Sequence, residues 1–63
     1  MSASDMMSLF PQGQRVYINL MNGAEITVSI EGWRPNGVVV HLKDGIAFIP
    51  FVSIVSISRD TEE

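Results

Sequence analysis

The chain has 63 residues, with seven Asp and Glu against four Lys and Arg for a net charge of -3, one His and no Cys. A domain this short buries only about 60% of the surface its unfolded chain exposes, and with no disulfide or metal-ligand cluster to staple it, association with further copies is the stabilising device left. No apolar run nears the roughly 20 residues of a membrane-spanning helix and no basic, apolar leader opens the chain, so one soluble, cytoplasmic domain is expected, with an acidic balance opposite to the usual footprint of a nucleic-acid binder.

Ser2-Ala3-Ser4-Asp5 has the spacing of a capping box, and Met6, Met7, Leu9 and Phe10 follow before Pro11. This predicts a helix of about two turns, too short to persist alone, whose apolar side lies on the rest of the domain. Gln12-Gly13-Gln14 forms the hinge into the sheet. Residues 15–21 alternate, with Val16, Ile18 and Leu20 on one face and Tyr17, Asn19 and Met21 on the other, which predicts a half-buried strand. Asn22-Gly23 then predicts a type I′ hairpin turn, because both residues tolerate positive φ. On the returning strand Ile26, Val28 and Ile30 face the core while Glu25, Thr27, Ser29 and Glu31 face out, and Gly32 permits a bulge or bend.

Arg34-Pro35-Asn36-Gly37 has turn chemistry and predicts a projecting loop ahead of a third strand beginning Val38-Val39-Val40. Lys43-Asp44-Gly45 predicts a tight turn. The run Ile46-Ala47-Phe48-Ile49 is apolar on both faces, which predicts a fourth strand covered on both, up to Pro50. Phe51-Val52-Ser53 makes a corner, Ile54, Val55 and Ile57 a fifth strand, and the acidic end a frayed tail. The fold class expected is mainly β: a short N-terminal helix followed by a strongly bent five-stranded antiparallel small barrel. Its parts are helix and hinge at 1–13, barrel at 14–59 and tail at 60–63. The fourth and fifth strands become two unlike exposed edges, and pairing one with the other is heterologous, which closes into a ring if the rotation permits. A hydrophobic share of 46% with mean hydropathy +0.24 is more than so small a volume hides, which also points apolar side chains toward another chain.

The order of features resembles the Sm-like (LSm and Hfq-like) family over nearly the whole chain. Val16-Tyr17-Ile18-Asn19-Leu20-Met21-Asn22-Gly23 and Ile30-Glu31-Gly32-Trp33 are close to its first motif. Ile49-Pro50-Phe51-Val52-Ser53-Ile54 has the shape of its fourth-to-fifth strand corner, without the Lys-His or Arg-Gly pair that members carry there. Val28 stands where the family commonly has a glycine, leaving Gly32 to bend the second strand. The resemblance implies a homo-oligomeric ring, with the fourth strand of one subunit joined to the fifth of the next through Phe48, Ile49, Ile54 and Val55. It also implies single-stranded RNA, with DNA as the alternative, contacting the loops, and neither cofactor nor small-molecule substrate.

Among candidate nucleic-acid contacts, Trp33 reads first as a core plug and second as a stacking platform worth about 1 to 3 kcal/mol per base. Arg34 offers a guanidinium for phosphate or base. Asn36 reads first as a turn former, Phe51 first as a packing residue, and Lys43 lies at the second turn. His41 has no second histidine, cysteine or acid at ligand spacing, so no metal or catalytic site is expected. No nucleophile elbow, P-loop or dinucleotide fingerprint occurs, and the chain reads as a non-enzyme. Two readings remain open: a ring that binds single-stranded nucleic acid, and a ring that serves as a protein-assembly scaffold.

Overall fold

The computed structural model of the protein describes residues 3–60; Ser2, which opens the expected capping box, and the last three residues of the tail lie outside the described residues. Helix α1 spans Ala3–Leu9 and is followed by β1 (Arg15–Leu20), β2 (Glu25–Arg34), β3 (Gly37–Leu42), β4 (Gly45–Pro50), one 3₁₀ turn (Phe51–Ser53) and β5 (Ile54–Arg59). Helix, five strands and corner all fall where the residue pattern predicts them. The strands form one antiparallel sheet in the order β4-β3-β2-β1-β5. β4 and β5 therefore end the sheet. They do not pair with each other, so the sheet is open rather than closed by hydrogen bonds.

The core follows from the alternation. Val16 and Ile18 from β1, Val28, Ile30 and Trp33 from β2, Val38 and Val40 from β3, and Ile54 from β5 are all buried. A flat sheet covered only by a seven-residue helix would leave most of that face wet. Instead Val16, Ile18, Val38 and Val40 are 0% exposed, so the sheet bends until its inner face packs on itself.

The bend has a local cause. Ile30 stands opposite Val40, but Gly32 stands opposite Val39, which leaves Glu31 as an extra residue in β2. Such a bulge shifts side-chain parity: strict alternation from Ile30 would point Trp33 outward, and the extra residue turns it in. Once inside, the Trp33 indole N–H donates to the Phe10 carbonyl at 2.8 Å. Arg59 donates to the neighbouring Leu9 carbonyl at 2.8 Å, its guanidinium 5.9 Å from the Phe10 ring centre. Two strands thus satisfy carbonyls at the helix end, where a helix leaves acceptors unpaired. Met6 and Phe10 pack against the core, as an otherwise unstable helix requires, while Met7 and Leu9 remain exposed.

Two turns and the tail depart from expectation. Asn22-Gly23 reverses the chain, but only Gly23 has positive φ, at 91°, so the turn is not type I′. Gly23 N–H donates to the Leu20 carbonyl at 3.0 Å and Leu20 N–H to the Ala24 carbonyl at 2.8 Å, making Met21, Asn22 and Gly23 a three-residue connection. Asn22 contributes through its side chain, whose oxygen accepts the Ala24 N–H at 2.9 Å. Second, Arg34 pairs with Gly37 across the β2–β3 ladder, so only Pro35 and Asn36 connect the strands, and the turn is tight rather than projecting. Third, Asp60 is not frayed: its N–H donates to the Arg15 carbonyl at 3.2 Å and its carboxylate lies 3.4 Å from Arg15 Nε.

Candidate functional site

The tight 33–37 turn and the Phe51 corner meet at one place on the surface. Phe51 N–H donates to the Asn36 carbonyl at 3.0 Å, and the Phe51 ring stacks on Trp33 with centroids 6.1 Å apart and planes inclined by 29°. Trp33 is only 6% exposed and its N–H is engaged, so it supports this site from beneath. Arg34 lies exposed above the same turn. Its Nη1 donates to the Trp33 carbonyl at 3.0 Å and rests over Gly32, where a Cβ would come within 3.2 Å of it. A glycine at 32 therefore makes room for a guanidinium held in place by its own strand, with further N–H donors to offer. Lys43 is not part of this cluster, because it stands beyond the opposite end of β3 from Gly37.

The sheet edges form the second notable feature. β4 exposes Ile46 at 60% and Phe48 at 47%, while Ala47 and Ile49 face the core. The expectation of a strand covered on both faces is thus met on one face only within a single chain. On the other edge Val55 is 60% exposed, and Val52 on the corner is 84% exposed. Ile54 points into the core, so at this edge it offers its backbone rather than its side chain. Gly37 is buried beneath β4, where a Cβ would lie 2.5 Å from both the Ile49 carbonyl oxygen and the Phe48 ring.

The outer face of the sheet carries polar pairs that sequence spacing hides. Glu31, ten residues from His41, lies with Oε1 2.5 Å from its Nε2. The missed signal is the bulge, which moves Glu31 off the regular alternation and beside β3. Asn19 Nδ2 donates to Ser56 Oγ at 2.9 Å. The Tyr17 hydroxyl donates to Glu25, and that hydrogen bond, reinforced by the carboxylate charge, raises the phenol above its usual pKa. Among the described residues no group of three or more His, Cys, Asp or Glu gathers, and no helix is long and apolar enough to cross a membrane.

Comparison with protein families, with characterised proteins and with solved structures finds no significant match.

Proposed function

We propose that this protein is an Sm-like small barrel whose copies assemble into a homo-oligomeric ring that binds single-stranded nucleic acid, RNA in preference to DNA, in the cytoplasm. Support for the barrel comes from the self-packed inner face of a single bulged sheet. The observation that carries the ring is that both sheet edges end in strands with uncovered apolar side chains, Ile46 and Phe48 on β4 and Val55 on β5. Joining β4 of one copy to β5 of the next satisfies the unpaired backbone of both edges and covers those side chains together. Nucleic-acid binding is supported by the junction of Arg34, Asn36 and Phe51 over Trp33. One arginine per subunit is a weak contact, but repetition around a ring axis converts it into avidity.

Binding at this junction makes a definite prediction. Arg34→Glu is expected to weaken binding of a labelled oligo(U) at least about tenfold, one lost charge-assisted contact replaced by repulsion, without changing the native mass. Fluorescence anisotropy across a salt series reads this directly, and affinity unchanged by the substitution would remove the junction as the binding site. Wild-type affinity should fall with salt by a slope of about 0.7 per phosphate neutralised. A second reading, the same ring as a protein-assembly scaffold, is favoured by the net charge of -3. It predicts no salt-sensitive uptake of any oligonucleotide.

A further inference from the structure

The chain has three asparagines, and two of them, Asn22 and Asn36, precede a glycine. A following glycine has no side chain to hinder its nitrogen from reaching the asparagine side-chain carbonyl carbon, so an Asn-Gly peptide can close a five-membered ring on itself. Whether it does so in a folded chain depends on how the peptide is held. Residues 21–24 are all exposed, and a Cβ on Gly23 would meet nothing within 4 Å. Asn22 Oδ1 accepts the Ala24 N–H at 2.9 Å, which folds the side chain over its own peptide and sets Cγ beside the Gly23 nitrogen. That donor faces the oxygen that gains negative charge when the nitrogen adds to Cγ, the place an oxyanion-hole donor occupies. The Gly23 N–H is engaged with the Leu20 carbonyl at 3.0 Å, and the Asn22–Gly23 peptide makes no other backbone hydrogen bond among the described residues. One exposed bond at a loop tip is what must open, and such bonds open at low cost.

Asn36 has an exposed side chain as well, but its peptide is locked. Its carbonyl accepts the Phe51 N–H at 3.0 Å, and Gly37 is buried between two ladders, opposite Arg34 on one side and Pro50 on the other. Ring closure requires the peptide to rotate about the Asn36 Cα–C bond. That rotation would break the bond to Phe51 and carry Gly37 out of both ladders.

We infer that Asn22 is a site of spontaneous covalent modification, deamidation to aspartate and isoaspartate with water as co-reactant, and that the fold protects Asn36 in the same dipeptide. The Gly23 nitrogen gives its proton to water or hydroxide and bonds to Asn22 Cγ. The Cγ–Nδ2 bond then breaks, and the amide nitrogen leaves as ammonia. Water opens the resulting succinimide by cleaving one of its two C–N bonds. Cleavage at Cγ leaves aspartate, and cleavage at the backbone carbonyl carbon leaves isoaspartate, whose main chain is one carbon longer. Asn22 lines a groove of about 330 Å³ with Met21 and Phe48, so the hairpin converts the age of the chain into negative charge beside the β4 edge. The inference depends on neither the ring nor the nucleic-acid reading.

The test follows the full-length wild-type protein at mildly alkaline pH in ¹⁸O-labelled water, by peptide mass spectrometry over time, in native buffer and in guanidinium chloride. In native buffer Asn22 is expected to convert at least about tenfold faster than Asn36, the factor that one or two net hydrogen bonds supply. The product at residue 22 should carry ¹⁸O and include isoaspartate, which direct hydrolysis of the side-chain amide cannot form. In denaturant the two sites should react at similar rates. Asp44-Gly45 does not confuse the result, because the same ring forms there by loss of water and reopens by its return, so the gain of mass that marks deamidation is missing. Asn36 reacting as fast as Asn22 in native buffer would overturn the inference, as would an Asn22 that reacts in denaturant and not in the folded protein. Aspartate alone at residue 22 would overturn the succinimide route.

Discussion

Gly37→Ala is expected to destabilise the domain by about 2 to 3 kcal/mol, the cost of forcing an extra carbon into a filled site. The position is buried where β3 turns beneath β4, and the added Cβ would meet the Ile49 carbonyl oxygen and the Phe48 ring at 2.5 Å each. A side-chain neighbour could rotate away, but the carbonyl belongs to the β3–β4 ladder, in which Val38 stands opposite Ile49. Relief therefore requires the edge strand to move. At roughly 0.05 to 0.15 kcal/mol per residue, a chain of this size has only about 3 to 9 kcal/mol in total. Urea unfolding at fixed protein concentration should show a lower midpoint with an unchanged slope. A shift within about 0.5 kcal/mol would mean that β4 does not lie on Gly37 as described.

Ile46→Asp is expected to abolish assembly while leaving the subunit folded. Ile46 is 60% exposed in one copy, so an aspartate there costs the isolated subunit little. Covered by a neighbouring strand, the same carboxylate would be buried without a partner, at several kcal/mol per interface. Val55→Asp on β5 should behave alike from the other edge. Mixing the two gives a sharper result, because the Ile46→Asp chain keeps an intact β5 and the Val55→Asp chain an intact β4. Heterologous β4-to-β5 pairing allows one such junction per pair, so the mixture should form a dimer containing one of each and nothing larger. If β4 paired with β4, Val55→Asp alone would dimerise. Sedimentation of the two variants, separate and mixed, distinguishes these cases, and an Ile46→Asp protein of full native mass would remove β4 from the interface.

Much of this architecture is legible in the residues because burial acts on a regular period. The alternation of Val16, Ile18, Val28 and Ile30 locates the inner face of β1 and β2. The doubly apolar run 46–49 locates an edge that a single chain leaves half covered. Gly32 marks the bulge, but its consequences are long-range: the parity shift that buries Trp33 and brings Glu31 to His41 depends on which β3 residue each faces, which no local pattern states. Turn details failed for the same kind of reason. Asn22 tolerates positive φ, yet its side chain found a better use on the Ala24 N–H. The Arg34-Pro35-Asn36-Gly37 segment carries turn chemistry regardless of whether the flanking strands pair to its ends, and pairing of Arg34 with Gly37 decides for a tight turn. Within the candidate site, Arg34, Asn36 and Phe51 were identifiable singly. Their meeting over Trp33 comes from the corner folding back, as does the separation of Lys43.

The most direct test of ring assembly through the two apolar edges is the native mass of the wild-type protein, measured by mass spectrometry over a hundredfold range of concentration. One discrete multiple of the 7.0 kDa chain, constant across that range, is the expected result. A monomer throughout, or a ladder of masses growing with concentration as an unclosed chain of subunits would give, would contradict it.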